Sequence, residues 1–227
     1  MTLPRILTIM GSGETAPTMI KTHRAVIERL GSEASAVVLD TPYGFQENAP
    51  ELATRAQEYF RASVGHPIEV AGLQVVKGAD ELALAQGLAR INDATYLFAG
   101  PGSPTYALRQ WAGSAVPGAV AAKLRRGGAV TFASAAALTL GRLTVPVYEI
   151  YKVGEDPYWL DGLDLLAEIG ISATVIAVNS KLPENLEVLG RDPYGEGWMI
   201  KVRIEDEGAL TKLLDYARYQ AQCASGH

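Results

Sequence analysis

Over its first two-thirds the chain alternates short apolar runs with amphipathic helical stretches, and this pattern constrains its fold more than any other feature. Arg5–Met10 is a compact apolar run that ends at Gly11-Ser12-Gly13, as a strand does on entering a tight turn. Met19, Ile20, His23, Val26, Ile27 and Leu30 then recur at helical spacing across Thr18–Leu30, and Gly31 closes the stretch. The same reading continues down the chain. It predicts a buried strand at Ala36–Asp40, a helix from Pro50 toward Ala62, and a third strand over His66–Val76. A helix capped by its aspartate follows at Asp80–Arg90, then a strand at Thr95–Ala99, a small-residue helix at Val116–Arg126 and a fifth strand at Ala129–Ala133. Such alternation predicts an α/β fold, a doubly wound and mainly parallel sheet sandwich with ligands at the carboxyl ends of its strands.

The character changes after Gly141. Leu143–Val153 carries aromatic and β-branched residues with almost no helical period, and Pro157–Glu168 suits either a short helix or an extended segment. Ala173–Val178 and Trp198–Ile204 read as strands and Glu207–Ala221 as an amphipathic helix, a short C-terminal β-β-α element. Trp198 is expected in a core, and the tail strands are expected to supply an edge of the main sheet. No linker-like tract separates the two parts. The expected organisation is an α/β domain over 1–168, a C-terminal segment over 169–222 and a tail over 223–227.

A formal net charge of −5 gives no general attraction for nucleic acid or anionic membrane. The single cysteine, Cys223, rules out an intrachain disulfide and a cysteine-based zinc cluster. No leader-like or membrane-length apolar run is seen, so a cytoplasmic protein is the expectation.

Gly128-Ala-Val-Thr-Phe-Ala-Ser134-Ala-Ala-Ala-Leu is a strand running into a serine and then into small residues. A serine on a sharp strand-to-helix turn is exposed at the sheet's carboxyl edge and can act as a nucleophile. A serine in this position can equally cap a helix. As a nucleophile it needs an oxyanion hole, for which the Ala135 amide is one candidate donor. The loop Phe98-Ala-Gly100-Pro-Gly102-Ser-Pro-Thr can supply the other, and because Pro101 has no N–H, that donor is Gly100 or Gly102.

Three blocks, Ile6–Pro17, Leu97–Leu108 and Gly127–Gly141, resemble in order those of the peptidase E and cyanophycinase group, which is type 1 glutamine amidotransferase-like. The stretch from Val145, Val-Pro-Val-Tyr-Glu-Ile-Tyr-Lys-Val-Gly-Glu-Asp-Pro-Tyr-Trp-Leu, is similar to one subgroup of them. The resemblance covers residues 1 to about 165. It implies a class I amidotransferase-like sandwich, a serine peptidase-like activity on a small peptide or amide, and Ser134 as nucleophile. The family's motif resembles Gly-x-Ser-Ala-Gly-Ala, whereas this chain reads Phe-Ala-Ser134-Ala-Ala-Ala.

The family's catalytic histidine lies in a segment that this chain does not contain. Only His23, His66 and His227 are present. His23 falls on the apolar face of the first helix, His66 precedes Pro67 at a strand entrance, and His227 is the last residue. Glu149 and Asp156 fall where an acidic triad member sits, but a serine without a positioned base is a weak nucleophile. The expectation is an incomplete triad with weak peptidase activity or none.

A second resemblance begins near Ile171. Asp192-Pro-Tyr-Gly-Glu-Gly-Trp198, with its flanking strands and the helix that follows to about Gln220, is similar to the C-terminal half of the glycine-cleavage H-protein. That family carries a lipoyl group on a hairpin lysine a short way before the position of Ser172. This chain has no lysine between Lys152 and Lys181. Lipoyl attachment is therefore expected to be absent, and no other cofactor or metal is implied. Under the carrier alternative, an H-protein-like or partner-binding subunit, the glycine-cleavage enzymes are the partners. A homo-oligomer is compatible with either reading. Neither reading implies nucleic acid or a membrane.

Overall fold

The computed structural model describes residues 3–166 in full, together with the backbone of 173–178 and 200–204. The chain divides into two compact units, Met1–Glu168 and Ile169–His227. The first has strands β1 (Arg5–Met10), β2 (Ala36–Val38), β3 (Glu69–Val70), β4 (Tyr96–Ala99) and β5 (Gly128–Ala133). Its helices are α1 (Ile20–Leu30), α2 (Ala49–Tyr59), α3 (Glu81–Asp93), α4 (Pro104–Trp111), α5 (Val116–Arg126) and α6 (Ser134–Leu138). A two-residue pair follows, β6 (Leu143–Thr144) with β7 (Leu160–Asp161).

The five strands form one sheet in the order β1-β5-β4-β2-β3, every pair parallel. Side chains alternate between its two faces. Val37, Leu39, Leu97, Ala99, Val130 and Phe132 join one core with Ile91, Trp111, Val120 and Leu124. Val38, Tyr96, Phe98, Ala129 and Ala133 join the other, against Val26, Ile27, Leu30 and Phe60. A sheet covered on both faces is the environment that parallel strands require. The fold is the expected α/β sandwich.

Two details differ from the sequence reading. The strand expected over His66–Val76 shrinks to Glu69–Val70. Gly72 takes a φ of +75°, which turns the chain, and the Leu73 amide then bonds the Asp40 carboxylate at 2.8 Å instead of a neighbouring strand. The sequence reading also gave no helix at Pro104–Trp111, where Ser103 caps the Tyr106 amide at 3.0 Å and Pro104 opens the helix.

In the second unit, β8 (Ala173–Val178) and β9 (Ile200–Ile204) pair antiparallel in a sheet of their own. The tail strands were expected to supply an edge of the main sheet; among the described residues all five strands of that sheet come from the first unit, and β8 and β9 pair with each other. Trp198 and the helix expected at Glu207–Ala221 lie outside the described residues. Among the described residues no helix is long and apolar enough to cross a membrane.

Candidate functional site

Parallel strands bring all their carboxyl ends to one edge. There the turn after β1, the loop after β4 and the residue after β5 are neighbours, because β5 lies between β1 and β4 and Met10 is in register with Ala133. Ser134 occupies this junction and is partly exposed. Its φ is +51°, one of two positive values among the described non-glycine residues. The left-handed region costs an L-residue about 1–2 kcal/mol, and residues held there cluster at functional sites. Ala133 is ordinary extended chain, φ −128°, so the elbow's unusual angle falls on the serine itself and glycine is not needed before it.

The Ala136 amide donates to the Gly100 carbonyl at 3.1 Å, which fastens the loop after β4 to the first turn of α6. With Ala136 so engaged, Ala135 has the next amide at the elbow. Gly102 is fixed by packing. Its φ is +137°, a Cβ there would run into the Pro42 carbonyl, and Ser103 donates its amide to that same oxygen at 2.9 Å.

The other site residues from the sequence reading disperse. Glu149 starts a short π-helical turn, and its carboxylate accepts the hydroxyls of Ser103 at 3.2 Å and Thr105 at 2.7 Å. It braces the start of α4, and among the described residues no histidine bonds to it. Asp156 is exposed. His23 is fully buried among Tyr59, Phe60, Tyr96 and Phe98. Its Nε2 lies 2.8 Å from the Glu14 carbonyl and must donate to it, so Nδ1 accepts the Tyr96 hydroxyl at 2.7 Å. Burial holds its pKa below the usual histidine value, against the opposing effect of the Glu14 carbonyl bond. Both ring nitrogens of the neutral ring are spent. His66 lines a cleft of about 440 Å³ with Ala34–Val37, Glu69, Arg90 and Asp93, at the entrances of β2 and β3. Ser134 is at the exit of β5, so the two lie at opposite edges of the sheet. His227 lies outside the described residues.

The sequence reading missed the residues of a second cleft, about 390 Å³, at the carboxyl edge beside the Gly100 loop. Glu14, Tyr43, Arg55, Tyr59 and Phe98 are among its lining residues, and Ser134 is not. The available signal was an acid placed directly after the Gly11-Ser-Gly turn at a strand's carboxyl end. Nearby, Asp40 is buried, and burial raises its pKa despite the Leu73 amide bond. The Tyr43 phenol is pushed up by burial and by the charge of Asp40.

Known proteins resemble the two units separately. A crystal structure of a peptidase from an acI-B1 Actinobacterium superimposes with a TM-score of 0.58 at 18% identity, covering 70% of this chain and 64% of that one. At that identity the likeness concerns the fold. Residues 165–226 match the family model for the glycine cleavage H-protein. The glycine cleavage system H protein of Thermotoga maritima is 46% identical over 75 residues, 32% of this chain and 60% of that protein. That of Marinobacter nauticus is 44% identical over 55 residues, 24% and 42% respectively. The chain spans about half the length of the curated relatives it matches. It therefore joins an α/β fold like that of the actinobacterial peptidase to a C-terminal H-protein-like segment, consistent with a two-part fusion.

Proposed function

We propose that residues 1–168 are a serine-hydrolase scaffold of the peptidase E type that keeps its nucleophile elbow and lacks its base. The observation that carries this reading is the left-handed Ser134 at the β5–α6 junction, φ +51°, fastened to the Gly100 loop through the Ala136 amide. In this reading Ser134 presents its hydroxyl to a small peptide or amide substrate. The Ala135 amide, with Gly100 or Gly102, faces the developing oxyanion. Activation is the missing part, since His23 is committed to Tyr96 and Glu14 and His66 lies at the other edge. Glu149 serves Ser103 and Thr105, which leaves it structural, and Asp156 is a surface acid. Loss of triad members lowers turnover by about 10⁴–10⁶.

A fluorophosphonate probe with mass mapping at neutral pH tests this. Slow or absent modification of Ser134 is expected. Rapid stoichiometric modification that disappears in Ser134→Ala would reveal an effective base and overturn the inactive reading.

The match over 165–226 favours a second reading, an H-protein-like subunit that contacts glycine-cleavage enzymes without a lipoyl arm. Sedimentation of the full chain with those purified enzymes distinguishes it. Co-migration supports the subunit reading, and independent migration leaves the scaffold reading. In either case the proposed organisation is 1–168, 169–222 and a short tail over 223–227, in a cytoplasmic protein.

A further inference from the structure

The cleft at the carboxyl edge is lined by an acid without a side-chain partner among the described residues. Glu14 is 6% exposed, and its carboxylate takes no hydrogen bond or ion pair with any described residue. Arg55 lines the same cleft, yet the two form no ion pair. The Glu14 oxygens keep contact with the solvent of the cleft and are open there to a cation or to hydrogen-bond donors. Gly100 borders the acid: a Cβ at that position would sit 3.4 Å from Glu14 Oε1, in van der Waals contact with it.

The walls narrow the identity of the missing partner. Tyr59 and Phe98 are aromatic, and Tyr59 has already committed its hydroxyl to the Ala16 carbonyl at 3.2 Å. The Tyr59 phenol is pushed up by burial and then by the Glu14 charge, which puts that carboxylate within electrostatic reach of the ring. Hard metal ions gather several oxygen ligands, whereas no group of three His, Cys, Asp or Glu able to hold a metal occurs among the described residues. A carboxylate with aromatic walls suits an organic cation. A cleft of about 390 Å³ lies at the small end of ligand sites. Arg55, exposed on α2, disfavours a second positive charge.

We infer that this cleft binds the ammonium or guanidinium group of a small organic cation, with Glu14 as its counter-ion and Tyr59 and Phe98 as its walls. Ser134 does not line the cleft, so the inference goes beyond the hydrolase reading and stands whether or not that serine reacts.

Titration calorimetry of the full chain with n-butylammonium, n-butylguanidinium and neutral n-butanol, at matched ionic strength, tests it. Saturable binding of at least one cation and none of n-butanol is expected, the tighter cation identifying the preferred head group. Glu14→Gln should weaken that binding about ten- to a hundredfold. Arg55→Ala, at an exposed position, should tighten it about threefold, and it reads the same charge balance should Glu14→Gln misfold. Ser134→Ala should retain cation binding, so failure of the hydrolase reading is told apart from failure of this one. No saturable heat from either cation, equal binding of n-butanol, unchanged affinity in a folded Glu14→Gln, or unchanged or weaker affinity in Arg55→Ala would each overturn the proposal.

Discussion

His23 Nδ1 and the Tyr96 hydroxyl lie 2.7 Å apart across the buried face of the sheet, joining α1 to β4. Burial holds the His23 pKa below its ordinary 6.5. As pH falls through 6.5 the unfolded chain takes up this proton first, so stability drops toward the lower folded-state value. His23→Phe should remove this acid-sensitive limb from the stability curve. At neutral pH it should cost about 1–3 kcal/mol, because the Tyr96 hydroxyl and the Glu14 carbonyl are left without their partner. Urea unfolding at several pH values checks both effects.

At the elbow, conformational strain separates two small substitutions. Ser134→Ala keeps a side chain at φ +51°, whereas Ser134→Gly removes the clash between Cβ and backbone. The glycine variant should be more stable than the alanine variant by up to about 1 kcal/mol, the relief of about 1–2 kcal/mol being partly offset by glycine's greater unfolded-state freedom. Equal unfolding midpoints, or a less stable glycine variant, would count against a strained elbow.

Lys123 is buried in α5, and its Nζ donates to the Ala94 carbonyl at the end of α3. Burial first, then the charge of Arg126, lowers its pKa to about 8, with Asp93 opposing. The unfolded chain keeps this proton until about 10.4. Between the two values the unfolded state holds more protons, so stability should rise with pH across that window. Lys123→Met should flatten that slope, as read from denaturant midpoints across the same range.

The absence of lysine between Lys152 and Lys181 gives a mass-spectrometric prediction. Incubation with a lipoate-attaching enzyme should leave the intact mass unchanged. A lipoyl increment mapped to any residue would restore the carrier reading.

The strand–helix alternation was legible in the sequence because β1, β2, β4 and β5 are short apolar runs and α1, α3 and α5 carry periodic faces. Ser134 was legible as a candidate because a strand leads straight into it. Asp40 replacing a main-chain partner for Leu73 was not legible, since that bond joins residues far apart in sequence and depends on the turn at Gly72. The same applies to Glu149. It falls where an acidic triad member sits, and only the fold brings Ser103 and Thr105 to its carboxylate. The cleft around Glu14 gathers residues from the turn after β1, the loops after β2 and β4, and helix α2, so no local pattern announces it.

The sheet order β1-β5-β4-β2-β3 has a consequence for synthesis on the ribosome. Strands β2, β3 and β4 can pair as soon as they emerge, but β1 bonds to β5 alone, Arg5 with Gly128 through Met10 with Ala133. The first strand made must therefore wait, with both edges unpaired, for the last strand of the sheet. Ser134 follows that strand directly, so the elbow can be set only when the nascent chain closes this longest loop. Non-local pairings of this kind are slow and leave an apolar edge exposed in the meantime. For this chain, that interval is the time at which a chaperone holding the β1 edge has most to contribute.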